Sequence, residues 1–153
     1  MSDRPGADNA DDLPVDDEHR RPAGVSDATV EAVGKVTEAL EWVERVRGHL
    51  YEAHQMSGHA DLLFGEAADM LSDAGHDGLA ADMWREVVGA NTFPGRWTFQ
   101  LVEEFDDGYY TTVKDFEKRT REELLDGRRH VMESEMKERR RTDGRTGHEA
   151  RPS

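Results

Sequence analysis

The chain reads as an all-α protein: a long antiparallel helical hairpin with a short intervening helix, packed as a helical bundle between disordered termini. Three observations carry that expectation. Apolar residues recur at helical spacing over two long stretches, no segment alternates with the two-residue period of a strand, and alanine recurs at every seventh residue through most of the first stretch.

The first long helix begins where Ser26 or Asp27 offers an N-cap ahead of Val30. With Val33 at heptad position a, the a and d positions run through Val36, Leu40, Val43, Arg47, Leu50, His54, Ser57, Asp61, Phe64, Ala68 and Leu71. The g positions are Ala32, Ala39, Val46, Ala53, Ala60, Ala67 and Ala74. The frame passes unbroken through Ser57-Gly58, which predicts one coiled-coil-like helix over 27–74, on the order of 70 Å long. The alternative is a break at Ser57-Gly58 and a compact single-chain four-helix bundle. The glycines of "AGHDG", 74–78, end the helix.

A short helix follows over 78–90, and Pro94-Gly95 in "NTFPGRW" marks a turn. A second long helix is predicted from Trp97 to about 140. Its apolar stripe is Val102, Phe105, Tyr109, Val113, Phe116, Thr120, Leu124 and Val131, interrupted by Gly108 and Gly127. If the hairpin turns around residue 85, Arg47 approaches Glu123, His54 approaches Glu117 and Asp61 approaches Tyr110. Two helices alone rarely bury enough area for stability. The alanine stripe predicts close approach of a further helix, from the short segment or from a second subunit, the latter giving a homodimeric four-helix bundle.

Composition narrows the function. The 153 residues fit one domain, placed at 26–136 between an acidic disordered arm, 1–25, and a basic disordered tail, 137–153. Hydrophobic and charged residues each make up 35%, and 34 acids against 20 bases give a net charge of −14. Such an acidic protein repels phosphates, which argues against nucleic acid as a partner. The absence of cysteine excludes disulfides, zinc–thiolate sites, iron–sulfur clusters and thiol catalysis. No apolar run is long enough to span a membrane. The N-terminus lacks the apolar core of a signal peptide, so the expected location is cytoplasmic.

The stretch "LYEAHQMSGHADLLFGEAADML", Leu50 to Leu71, carries His54, His59, Asp61 and Glu66. His49, His54 and His59 lie five residues apart, each rotated by about 140° from the last, so no two on this helix chelate one ion. Glu-x-x-His occurs nowhere. His54, His59 and Asp61 could join Glu103 and Asp107 of "VEEFDD" in a carboxylate–histidine metal site between the two long helices. In its long helices the chain resembles small helical bundles of the ferritin-like kind, and that resemblance implies a divalent metal or small ligand. Otherwise no cofactor is expected.

Arg47, His54, Ser57 and Asp61 put polar groups into an otherwise apolar seam, where they must be paired. With Tyr110 and Glu117 as facing partners they form either a polar layer that sets helix alignment or a ligand pocket. Phe93, Arg96 and Trp97 of the "FPGRW" loop either contact a partner or pack beneath the turn. No nucleophile motif, phosphate loop or dinucleotide fingerprint is present, and no catalytic residue is assigned. The expected function is non-enzymatic: a homo-oligomer, or an accessory subunit bound to a protein partner. The alternative is the metal or small-ligand site.

Overall fold

A computed structural model describes residues 14–152, which are mostly helical. Among the described residues there are no strands, only an isolated bridge between Phe93 and Arg96. The helices are α1 (Asp27–Asp73), α2 (Asp77–Glu86), α3 (Thr98–Phe105), a π-helical turn (Asp106–Tyr110), α4 (Thr111–Leu125) and α5 (Val131–Arg140). The chain divides into two compact units. Among the described residues one joins 14–40 with 114–152, and the other is Glu41–Val113.

Helix α1 starts at Ser26, whose Oγ accepts the Thr29 N–H at 3.2 Å. It runs without a break through Ser57-Gly58, which removes the alternative of a reversal there. Every a and d position from Val33 to Leu71 except Phe64 is buried or half-buried. The alanines at g are mostly exposed. The helix ends in a Schellman motif: His76 N–H donates to Leu71 O, Gly75 N–H donates to Ser72 O, and Gly75 takes a φ of 84°.

The second long helix departs from expectation at two places. First, Asp106–Tyr110 forms a π turn, which inserts one residue into the helical repeat. Gly108 weakens the α-helix here, and the hydroxyls of Thr111 and Thr112 donate to the carbonyls of Asp106 and Gly108. Beyond it Val113 and Thr120 stay half-buried as expected, but several inward positions are displaced by one. Tyr109, Phe116 and Leu124, expected inside, are exposed; Tyr110 is half-buried, and Glu117 and Leu125 are buried. Second, the helix stops at Leu125. Asp126 and Gly127 both adopt positive φ, as does His130, and α5 starts afresh at Val131.

In the unit containing the termini, Val30, Val33, Leu125 and Val131 form the core, with Val25 and Met132 packed on it. Burial of these side chains removes apolar surface from water, the main driving force of folding. Gly34 lies so close to Met132 that a Cβ there would collide with its thioether. Buried Arg121 donates from Nε to Glu117 at 2.7 Å and from a terminal nitrogen to Gly127 O at 3.0 Å, and Thr37 donates to the same carboxylate.

Of the arm expected over 1–25, residues 1–13 lie outside the described residues. Beyond them, Arg21 grips Glu135 of α5 with two 2.7 Å hydrogen bonds, and Arg128 donates to Arg20 O. Helix α5 continues through Arg140, into the stretch expected to be tail, and Arg141 pairs with Glu138.

Candidate functional site

The polar seam lies within Glu41–Val113, where α1 meets the segment after Gly75 in reversed chain order. Gly65 faces Trp84, Asp61 faces Gly89, His54 faces Thr98, Arg47 faces Asp106 and Glu44 faces Tyr110. Arg47, His54 and Asp61 do point inward, but each partner differs from the one expected. The facing pairs centre on about residue 75, roughly ten residues before the expected turn, so each position of α1 meets an earlier residue of the returning segment.

Arg47 makes a two-pronged ion pair with Asp106, at 2.7 and 3.0 Å, in place of Glu123. Its guanidinium also lies 5.1 Å from the Tyr51 ring centre and 5.0 Å from that of Tyr110. The hydrogen bond to Asp106 holds the Arg47 pKa above its usual value. Tyr110, which was expected opposite Asp61, instead donates its hydroxyl to Glu44 at 2.7 Å, and that bond raises the phenol pKa above 10.0. Phe105 stacks on Tyr110.

His54 Nδ1 lies 2.7 Å from Thr98 Oγ1 and its ring meets Phe99 edge-on. Its expected partner, Glu117, is instead engaged by Thr37 and Arg121. Asp61 accepts the Gly89 N–H at 2.7 Å, fastening the end of α2. Ser57 turns back onto its own helix and donates to Ala53 O.

The "FPGRW" loop closes on Pro94-Gly95, with Gly95 at a φ of 73°. Trp97 is exposed and stacks on Phe99, while Phe93 is also exposed and Arg96 pairs with Glu104. This loop and the middle of α1 line one open cleft of about 450 Å³, whose walls include Ser57, Asp61, Phe64, Asn91, Arg96 and Trp97. Two features separated by about thirty residues thus meet. Of the cleft's polar side chains, Asp61 is engaged by Gly89, Ser57 by Ala53 and Arg96 by Glu104.

The residues considered for metal are not gathered. His54 and Asp61 face inward onto protein partners, whereas His59, Glu103 and Asp107 are exposed. Asp107 lies in the π turn. Among the described residues no three His, Asp or Glu side chains come together in a way that could hold a metal ion. His49 does meet Glu52, at 3.0 Å on the surface.

Sequence reasoning passed over Asp106, Thr98 and Glu44 as partners, and Arg121 altogether. Arg121 carried a usable signal: Glu117 and Arg121 are an i, i+4 pair of opposite charge. Among the described residues no helix is long and apolar enough to cross a membrane. The chain matches no protein-family model, and no curated protein and no solved structure is significantly similar to it.

Proposed function

We propose that this is a non-enzymatic association protein and that Glu41–Val113 is its binding portion, half of a helical bundle completed by another polypeptide. One observation carries the reading. This unit buries Ala68, Ala80 and Val102, yet leaves Trp42, Trp84 and Trp97 at 60%, 51% and 66% exposure. Large aromatic side chains left in water forgo a large hydrophobic gain that a partner would recover. The ion pair of Arg47 with Asp106, the His54–Thr98 contact and the Asp61–Gly89 bond support the same reading, because they satisfy the seam from within and leave its role one of alignment.

Hydrogen exchange tests this. In dilute solution the amides of 41–113 should exchange much faster than those around Val30 and Leu125, and assembly should slow them. Equal protection of both regions in the dilute, unassembled chain would mean that 41–113 needs no partner, and the association reading would fall.

A second reading is a small-ligand site in the cleft beside Trp97. Its volume of about 450 Å³ favours it, since ligand pockets span roughly 300–1,000 Å³. Trp97 emission would then shift on addition of a ligand, and Asp61→Asn would abolish the shift.

A further inference from the structure

Helix α1 carries a second heptad seam, outside the one that faces the rest of its own unit. Positions c and g from Trp42 onward alternate by four and three residues along its outer side. The large residues Trp42, Met56, Leu63 and Met70 occupy c and are all exposed, and alanine dominates g, with Ala53 and Ala74 exposed and Ala60 and Ala67 half-buried. His49 is the one polar residue at c over this span. A helix that aligned only one face would place charge here; its neighbouring f row does carry Glu52, His59 and Glu66.

We infer that this outer seam is the interface with a second copy of the chain, paired antiparallel about a two-fold axis passing near Gly58. The inference rests on the association reading above and names its partner. Size complementarity within the seam selects a second copy over an unrelated protein. In that arrangement Met56 meets Ala60 of the other copy, Leu63 meets Ala53, and His49 meets Ala67. In these three contacts a bulky side chain faces a small one, as close helix packing requires, while Val46 meets Met70. A two-fold axis makes each contact occur twice, so one helix supplies both knob and hole.

The area is sufficient for a modest dimer. A helix face about 50 Å long and about 10 Å wide gives a footprint of roughly 500 Å² per copy, about 1,000 Å² in all, the lower end for a specific interface. Charge acts against it: each chain carries −14, and Glu52 of one copy lies near Glu66 of the other. The dimer should therefore strengthen with salt, whereas a complex with a basic partner would weaken.

Sedimentation velocity of the full chain at rising concentration and ionic strength is the test. The expected result is a species of twice 17.3 kDa that becomes more populated with salt. Leu63→Glu and Met56→Glu should each weaken dimerisation about a hundredfold, because two buried charges then enter the interface. Both side chains are exposed in the single chain, so its helical circular dichroism should be unchanged. Leu62→Glu, about 100° around the helix and outside the seam, should leave the dimer intact. A dimer indifferent to both seam variants would overturn this interface while leaving association through another face. A chain that stays at 17.3 kDa at every concentration and salt level would overturn the second copy as partner, and the exchange experiment would still decide the broader reading.

Discussion

The two compact units reach stability by different routes. The unit holding the termini encloses Val30, Val33, Leu125 and Val131, and its buried Arg121 and Glu117 satisfy each other. Glu41–Val113 is pinned mainly by half-buried polar contacts, Arg47 with Asp106 and His54 with Thr98, beneath a surface still rich in tryptophan, methionine and leucine. Polar pairs specify which residues meet, but a half-exposed ion pair adds little net stability. Dry apolar packing stabilises a fold far more. The first unit has that packing within the chain, and on our reading the second obtains it by association.

The largest expected effect that could break this contrast is at the buried pair. Arg121→Met leaves the Glu117 carboxylate buried without its cation and should destabilise the fold by about 3–5 kcal/mol. Adding Glu117→Leu should restore most of that loss, since a packed apolar pair replaces a buried ionic one. Urea denaturation of the two variants measures both, and a double variant no better than the single one would show that the pair does more than neutralise itself.

Leucines sharpen the comparison next. Leu125→Ala, at 2% exposure, should cost about 2–5 kcal/mol. Leu62→Ala, at 67% exposure, should stay within about 0.5 kcal/mol. Similar denaturation midpoints for the two would erase the distinction between a closed and an open unit.

Gly58→Ala should stabilise the chain by up to about 1 kcal/mol, because an added Cβ meets nothing within 4 Å and alanine is the better helix former. A loss of stability on thermal denaturation would mean that something packs closely against α1 at Gly58.

The smallest effect is a pH dependence. The hydrogen bond to Glu44 raises the Tyr110 pKa above its unfolded value of 10.0. Folding therefore favours the neutral phenol. Its contribution is fully present below pH 10.0 and is lost as pH climbs through the higher folded value. Tyr110→Phe should flatten that part of the alkaline decline in stability, and an unchanged alkaline limb would show that the bond contributes nothing.

Local chemistry made much of this legible in the sequence. The Ser26 cap, the unbroken frame through Ser57-Gly58, the Gly75 terminus and the Pro94-Gly95 turn all depend on residues a few positions apart, as does the inward direction of Arg47, His54 and Asp61. Helical periodicity is a property of the backbone repeat, so a single chain reveals which face of α1 turns inward.

The partners of that face were decided only in the tertiary structure. Register depends on where the return begins, and a shift of about ten residues there exchanged Glu123, Glu117 and Tyr110 for Asp106, Thr98 and Gly89. One inserted residue in the π turn then moved Glu117 and Leu125 inside in place of Phe116 and Leu124. Left-handed backbone at Asp126 and Gly127 cut α5 free to bring Val131 onto Val30. Gly108 and Gly127 make the π turn and the break permissible, and the packing of distant side chains decides that they are used.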